Sequence, residues 1–368
     1  MRALHHALLG LCLACVSGLA GAQIKIGQTV GVTGAVAATV KEASLGAQLY
    51  LDATNAKGGV HGEKIELITL DDKFDTAQTL ANARELIEQR GVLALFMTRG
   101  TPHTEGIIPL LDQHGVALLA PSTGAMVLHQ PVKKHVFNVR ATYQREAERA
   151  IAHLAATGVT RIGVVHVDDS FGADGLEGTQ KGLAAAKLTA VAIHKFDRSK
   201  PDFSQIAPAM AKQAPQAVVV IGSGTAVVDG IKALKAAGSG AQFVTLSNNA
   251  SGGFVKLLGD DARGVIVSQV LPQSMNYAVV QEATQMARAH DIADLSPAML
   301  EGFVSAKVLV EALRRAGPKP TREKLVQALD GMGRYDLGGL TLAFSPTDHT
   351  GLDFSDLSII SATGKFKR

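Results

Sequence analysis

Short apolar runs, rich in β-branched residues, alternate with helical segments of ten or more residues along most of the chain. The runs at residues 92–97 and 217–221 are apolar throughout, and amphipathic segments such as residues 143–156 separate the runs. Continuous apolar strands separated by helices are typical of a parallel sheet whose two faces are both covered. The sequence therefore predicts an α/β fold.

The alternation forms two consecutive series of similar size. The first series has predicted strands at residues 24–30, 64–70, 92–97 and 116–119, and the second at residues 161–167, 191–196, 217–221 and 242–246. Each series is long enough to build its own doubly wound sheet, so we expect two lobes. Three later helices and two short strands complete the prediction, at residues 279–290, 297–316, 322–329, 340–344 and 357–361.

Residues 1–22 have the features of a cleavable signal peptide. Arg2 supplies a positive charge, residues 7–16 form an apolar run, and Ala20-Gly21-Ala22 matches the small-residue cleavage pattern. The run is too short to span a bilayer, so we expect a protein that is exported and not embedded in the membrane. Both cysteines lie inside this segment. An exported chain without cysteine has no disulfide scaffold and no thiolate metal site.

Charge and motifs argue against several functional classes. The formal net charge of +3 is too small to indicate a nucleic-acid partner. Gly222-Ser223-Gly224 resembles the start of a dinucleotide fingerprint, but Val227 stands at the third glycine position. Neither a nucleophile elbow nor a histidine pair at metal-ligand spacing is present, so we expect no enzyme, no cofactor and no metal. For Asp71-Asp72 and Asp168-Asp169 we expect turn or capping roles.

Small polar residues follow several predicted strands, where the loops of an open α/β sheet bind ligands. Because these loops also open helices, they can offer both hydroxyl groups and free N–H groups to a ligand. Thr101 has a simpler interpretation as a helix cap, and Phe171 as the first core residue of its helix. The sequence predicts a binding cleft formed by Arg99, Gly100, Thr101, Ser122, Thr123, Gly124, Phe171, Ser223, Ser247 and Asn248.

Several short segments, in order along the chain, together resemble a known family. They are Ile24-Lys25-Ile26-Gly27, residues 55–62, Asp71-Asp72, Ala120-Pro121-Ser122, residues 169–172 and Glu301-Gly302-Phe303. The chain resembles the periplasmic solute-binding proteins of branched-chain amino acid ABC transporters, the Leu/Ile/Val-binding protein type. The resemblance implies the type I periplasmic binding fold, two lobes joined by three crossovers that close over a small ligand.

The resemblance also suggests lobe boundaries and roles. The crossovers are expected near residues 140–143, 270–272 and 344–346, which gives lobe one residues 23–141 plus 272–343 and lobe two residues 142–271 plus 344–368. In amino-acid-binding relatives, the loop matching Gly100-Thr101 holds the ligand carboxylate, and the loop matching Ser122-Thr123-Gly124 completes that part of the site. An aromatic side chain at the position of Phe171 covers the ligand.

The chain departs from these relatives at two places. A tyrosine near Ser223-Gly224 and an acidic acceptor for the ligand ammonium near Ser247-Asn248 are replaced by small or neutral residues. A buried ammonium without a carboxylate partner is costly, so a standard α-amino acid is in doubt. Arg99 could pair with an acidic ligand, although a solvent-facing arginine of the loop is the simpler interpretation.

The resulting hypothesis is a periplasmic component of an ABC importer. It captures a small polar metabolite, such as an amino acid or a related carboxylate or amide, and delivers this small-molecule ligand to the membrane permease. The alternatives are a ligand-sensing receptor with the same fold and, from a different class, an exported α/β enzyme. Solute binding without formation of a product would favour the importer component or the receptor over the enzyme.

Overall fold

Two large β-sheets, each covered by helices, organise the chain in the computed structural model, which describes residues 23–368. The predicted signal peptide, residues 1–22, lies outside the described residues. Between residues 23 and 368, no helix combines the length and the apolar character that crossing a membrane requires.

The first lobe is built on a five-stranded, fully parallel sheet. Its strands are β1 (Gln23–Val30), β2 (Lys64–Asp71), β3 (Ala94–Phe96), β4 (Ala117–Leu119) and β5 (Val136–Phe137). They lie in the order β2-β1-β3-β4-β5. The connecting helices are α1 (Ala37–Ala56), α2 (Thr76–Arg84, continued by a wide turn to Gln89) and α3 (Thr101–His114).

The second lobe is built on a seven-stranded sheet. Its strands are β6 (Ile162–Val167), β7 (Ala190–Phe196), β8 (Ala217–Ile221), β9 (Gln242–Thr245), β10 (Ile266–Gln269), β13 (Asp356–Ile360) and β14 (Phe366–Lys367). Its helices are α4 (Tyr143–Ala156), α5 (Ser170–Ala185), α6 (Ile206–Lys212), α7 (Thr225–Ala236) and α8 (Gly252–Leu258). The order is β14-β13-β10-β9-β8-β6-β7, in which β6 to β10 are parallel and β13 and β14 run antiparallel.

After β10 the chain returns to the first lobe. This part contains α9 (Ala278–Ala289), α10 (Pro297–Ala316), α11 (Arg322–Asp330) and the hairpin of β11 (Gly333–Asp336) and β12 (Thr341–Phe344). Leu342 and Phe344 of the hairpin are buried in the first lobe's core, whereas Ile360 of β13 belongs to the second core. The chain thus passes three times between the two sheets.

Helices α1 and α10 touch backbone to backbone in the first lobe. A Cβ atom added to Gly302 would lie 1.8 Å from the carbonyl oxygen of Ala43, and one added to Gly46 would lie 1.8 Å from that of Met299. Because real carbon–oxygen contacts never come this close, both positions need glycine. The two glycines set the distance between these helices.

The predicted fold class, two doubly wound α/β lobes, is confirmed. Several elements were not predicted. Strands β5, β10 and β11 and helix α8 were missed because they are short, two to seven residues long. The antiparallel strands β13 and β14 were not expected in a parallel sheet, and they cover the edge that β10 would otherwise expose. The lobe boundaries given above stay a prediction.

One buried carboxyl group gives a testable dependence on pH. Asp174 of α5 accepts hydrogen bonds from the Gln144 side chain (2.8 Å) and from the backbone N–H of Met126 (3.1 Å), and burial raises its pKa to about 6. A carboxyl group with a higher pKa in the folded protein than in the unfolded chain destabilises the folded protein when it ionises. This cost is present above pH 6 and fades as the pH falls toward 4.

We therefore expect Asp174→Asn to be more stable than the unchanged protein at pH 7.5, by on the order of 1–2 kcal/mol. The difference should shrink toward pH 4, as measured by urea unfolding at several pH values. Burial also lowers the pKa values of His103 and His129 to about 4. Their protonation in acid destabilises the unchanged protein and the variant equally, so it does not alter the difference in the free energy of unfolding. A difference that does not change with pH would contradict the assignment.

Candidate functional site

A cleft of about 650 Å³ opens between the two lobes. A volume of this size falls within the usual range for small-molecule sites. The first lobe contributes Ala35, Lys73, Phe74, Asp75, Thr76, Pro102 and His103. The second lobe contributes Val167, Asp168, Asp169, Phe196, Asp197, Arg198, Ser199, Pro201, Ser223, Thr225 and Ala226.

Four helices begin at this cleft, and two of them are capped by an aspartate. Asp75 caps α2 by accepting a hydrogen bond from the N–H of Gln78 (2.8 Å). Asp169 caps α5 by accepting from the N–H groups of Phe171 (3.0 Å) and Gly172 (3.1 Å). Each carboxylate accepts hydrogen bonds from N–H groups that the helix start would otherwise leave free. These two helix starts are therefore less suited to binding an anion.

The other two helices, α3 and α7, begin after a glycine and have no side-chain cap. Gly100 has φ of 93° and Gly224 has φ of 56°, backbone conformations that favour glycine. Among residues 23–368, the first-turn N–H groups of Thr101, His103 and Ala226 have no acceptor. Uncapped helix starts bind anions because their free N–H groups and the helix dipole both favour negative charge.

His103 forms part of the cleft wall and is uncharged near neutral pH. Its side chain is 1% exposed and stacks on Phe74, with ring centroids 4.3 Å apart. Burial lowers the pKa of the imidazole to about 4, and a contact with the Phe74 backbone opposes part of this shift. Neither ring nitrogen makes a hydrogen bond of normal length and angle within the described chain. A buried imidazole without such hydrogen bonds is an unusual arrangement in a folded protein, and it marks His103 as a candidate for ligand recognition.

The Phe74 ring also contacts the second lobe. The Arg198 guanidinium lies 4.9 Å from the centre of the Phe74 ring, and its Nε donates to Asp169 (2.5 Å). The backbone N–H of Phe74 donates to Asp72 (2.9 Å), and that of Lys73 donates to Asp71 (2.9 Å). The turn role expected for Asp71-Asp72 is thus confirmed, and it holds Phe74 at the cleft.

A continuous hydrogen-bond network joins the lobes beside the connecting segments; we call it the interlobe network. Arg99 donates to the carbonyl oxygen of Asn248 (2.5 Å) and to Ser122 Oγ (3.4 Å), and Ser122 donates to Glu301 (3.4 Å). Glu301 also accepts from Arg140 (3.2 Å). The members of the network are Arg99, Ser122, Arg140, Glu146, Ser247, Asn248 and Glu301.

Arg140 is the centre of the interlobe network. It is 3% exposed, lies 2.6 Å from Glu146 of α4, and also donates to Ser247 Oγ. Although burial disfavours the charge, Glu301 and Glu146 outweigh it and raise the pKa of the guanidinium. Glu146 in turn accepts from the Ser247 N–H (2.9 Å) and Ser268 Oγ (2.5 Å). The two arginines and two glutamates of the network balance in charge.

Of the ten predicted site residues, Ser223 lines the cleft. It accepts a hydrogen bond from the Asn248 side chain (3.0 Å), and this contact joins the cleft to the interlobe network. Thr101 and Thr123 share a hydrogen bond between their hydroxyl groups (2.8 Å). Gly124 packs against the connection to α4, where its carbonyl oxygen accepts from the N–H of Tyr143 (2.7 Å).

Three expectations for single residues are resolved. The solvent-facing position expected for Arg99 is wrong, because the side chain is 4% exposed and reaches the other lobe. The capping role considered for Thr101 is also wrong, because Gly100 is the cap and Thr101 is the first helical residue. Phe171 is buried against Tyr143, with ring centroids 4.7 Å apart, which agrees with the core position considered for it.

Sequence reasoning missed Phe74, His103 and Arg198 at the cleft and Arg140 and Glu301 in the interlobe network. Glu301 lies in a segment that supported the family resemblance, and Arg140 lies at a predicted crossover. The sequence therefore indicated the two segments that contain these residues, but it did not indicate the contact between Arg140 and Glu301. Arg198 and Phe74 are 124 positions apart in the sequence, and no local pattern links them.

Comparisons with known proteins agree with this architecture. A family model described as "Periplasmic binding protein" matches residues 23–354. A substrate-binding periplasmic protein from Ralstonia solanacearum is 31% identical, with a TM-score of 0.86 and coverage of 94% of this chain and 99% of that one. A possible leucine/isoleucine/valine-binding protein from Rhodopirellula baltica SH 1 is 26% identical, with a TM-score of 0.89 and coverage of 96% and 98%.

Among curated proteins, the Leu/Ile/Val-binding protein homolog 8 of Brucella suis is 26% identical over 215 residues. That match covers 56% of this chain and 53% of the relative, so it spans about half the length of the curated protein. The family model covers most of the chain, and the family predicted from the sequence is confirmed. The chain therefore belongs to the periplasmic binding protein family, among the members that resemble the Leu/Ile/Val-binding proteins.

Proposed function

We propose that this protein is the periplasmic solute-binding component of an ABC importer and that it captures a small polar metabolite between its lobes. The observation that carries the proposal is the cleft of about 650 Å³, whose walls come from both lobes. A solute that contacts both walls stabilises the closed arrangement over the open one, because it gains contacts that exist only when the lobes meet. No bond in the solute is made or broken.

Delivery to a membrane permease and a periplasmic location complete the proposal. Both are supported by the family and by the relatives' names, which refer to substrate binding and to Leu/Ile/Val binding. The apolar leader at residues 1–22 supports export. The solute would be an amino acid or a related carboxylate or amide, and the free N–H groups of α3 and α7 are suited to an anionic end.

A thermal-shift screen over amino acids, carboxylates, amides and aromatic acids tests this proposal. A solute that binds only the folded protein raises the melting temperature, by an amount that grows with the logarithm of its concentration relative to Kd. No shift with any of these classes at millimolar concentration would contradict the proposal. Turnover of a bound solute into a product would instead favour the enzyme alternative.

For the solute found in the screen, we expect Ser223→Ala to weaken binding about five- to tenfold, the value of roughly one hydrogen bond. Ser223 Oγ accepts from Asn248, which leaves its own O–H to donate to the solute. Ser358→Ala is the matched control, because Ser358 is a buried serine of the same lobe that bonds Gln269 in the sheet. Calorimetric titration measures both, and equal affinity in the two variants would remove Ser223 from the site.

A further inference from the structure

We propose that the start of α1 is a latch that holds the second lobe against the first and keeps the cleft closed before a solute binds. Three residues of the first lobe, Ala35, Thr39 and Glu42, form this α1 latch, and they contact the starts of α7 and α8 in the second lobe. The inference concerns the protein without a solute. It therefore goes beyond the proposed function and does not depend on which solute is captured.

Glu42 provides the charged contact of the α1 latch. Its carboxylate accepts hydrogen bonds from the backbone N–H groups of Gly252 (3.0 Å) and Gly253 (2.7 Å), the first two residues of α8. Within residues 23–368, the Glu42 side chain forms its hydrogen bonds with the second lobe and none with its own. Hydrogen bonds to an ionised carboxylate are roughly twice as strong as those between neutral groups. Glu42 thus stabilises the contact between the lobes.

Thr39 lies one turn before Glu42 and contacts the residue that caps α8. Its hydroxyl group shares a hydrogen bond with Ser251 Oγ (2.9 Å), and both side chains are buried. Ser251 Oγ also accepts from the N–H of Phe254 (3.1 Å), which makes Ser251 the cap of α8. The first-turn N–H groups of α8 are therefore satisfied partly by its own cap and partly by the other lobe.

The third contact of the α1 latch lies in the wall of the cleft. The carbonyl oxygen of Ala35 accepts from the N–H of Thr225 (3.0 Å), the first residue of α7, and both residues line the cleft. Because the two residues belong to opposite walls, this hydrogen bond exists only while the lobes meet. Thr39 and Glu42 follow on α1, so the latch is a row of contacts that begins at the cleft.

Glycine residues of the second lobe allow the two backbones to come this close. A Cβ atom added to Gly224 would lie 1.8 Å from the carbonyl oxygen of Ala35, and one added to Gly253 would lie 2.8 Å from the Cβ atom of Ala38. Non-bonded atoms do not approach to these distances, so a side chain at either position would push the lobes apart. The second lobe therefore fits the start of α1 in the closed arrangement.

Double electron–electron resonance, which measures the distance between two spin labels, tests the latch on the protein without a solute. The labels are attached to Ala77→Cys on α2 and Asp229→Cys on α7, two exposed positions on helices that begin at the cleft in opposite lobes. Both native cysteines lie in residues 1–22, so a chain that starts at residue 23 carries no other thiol. Unfolding, dialysis and refolding first remove any co-purified solute. We expect one short distance to predominate.

Glu42→Ala should lower the ratio of closed to open molecules about tenfold, the value of roughly one hydrogen bond to a charged group. Alanine is the best helix former, so α1 should tolerate this change at a partly buried position. Adding Thr39→Val removes the second contact and should produce a clear population at a longer distance.

Asp52→Ala is the matched control. Asp52 is an exposed carboxylate of the same helix, and it accepts a hydrogen bond from Gln48 (2.6 Å) in its own lobe. Its removal should leave the distance distribution unchanged. An equal gain of the longer distance in Asp52→Ala and Glu42→Ala would overturn the inference, because the effect would not come from the contact between the lobes.

Two further results would also overturn the inference. One is a predominant long distance in the protein with an unchanged latch, because the lobes would then be open without a solute. The other is a short distance alone in the folded double variant, or in Glu42→Ala if the melting temperature shows that the double variant is unfolded. The measurement involves no solute, so none of these results affects the proposed function, which the thermal-shift screen tests separately.

Discussion

Replacing Arg140 by methionine is expected to lower the free energy of unfolding by about 3–5 kcal/mol, the usual cost of removing one partner of a buried ion pair. Arg140 is 3% exposed and contacts Glu146, which is 0% exposed, and Glu301. Without the guanidinium, Glu146 keeps only its contacts to Ser247 and Ser268 as a buried negative charge. Urea unfolding at pH 7.5 measures the loss.

A matched control and a rescue separate charge burial from general disruption. Arg145 pairs with Asp353 at 3.6 Å with both side chains more than half exposed, so Arg145→Met should cost less than about 1 kcal/mol. Adding Glu146→Gln to Arg140→Met should recover part of the loss, since the unpaired charge is then gone. A loss below 1 kcal/mol for Arg140→Met would show that the buried pair is not needed for stability.

Gly302→Ala is expected to cost about 3 kcal/mol or more, at the upper end of the range for overpacked cores. The added methyl group would lie 1.8 Å from the Ala43 carbonyl oxygen, which is backbone and cannot rotate away. Helices α1 and α10 would have to separate along a contact that is buried in the first lobe. Thermal and urea unfolding both report the change.

Gly106→Ala is the matched control for this prediction. Gly106 also lies inside a helix, α3, but it is exposed and a Cβ atom there would meet nothing within 4 Å. Alanine is the better helix former, so this variant should be more stable by about 0.5–1 kcal/mol. Opposite signs for the two substitutions would show that the cost at Gly302 comes from helix contact. Equal effects would contradict that explanation.

Much of the fold could be predicted because burial imposes a periodic pattern on each element. Strands such as β8 are apolar at every position, and the bounds of α4 and α10 agree with the sequence pattern. The start of α3 at Thr101 has no side-chain signal in the sequence, because the residue that caps it, Gly100, has no side chain. The antiparallel direction of β13 and β14 could not be predicted. Strand direction depends on which neighbouring strand is met in the folded protein, and the local sequence does not show this.

The site was only partly predictable for a related reason. Strand-end loops such as those at Thr101 and Ser223 were identified, since a parallel sheet gathers them at one edge. What the side chains do there depends on partners distant in sequence. Arg99 reaches Asn248 across 149 positions, and Arg140 reaches Glu301 across 161. The local pattern could not separate a solute contact from a contact between lobes.

The interlobe network also bears on how long a solute is retained. Its hydrogen bonds connect protein groups alone, so part of the free energy of closure does not depend on which solute is bound. The apparent Kd equals the intrinsic Kd divided by the fraction of molecules in the binding-competent state, so a network that populates the closed state tightens binding. The same bonds must break before the solute departs. We therefore expect Arg99 and Arg140 to lengthen the residence time of a molecule in the cleft, although neither residue lines it.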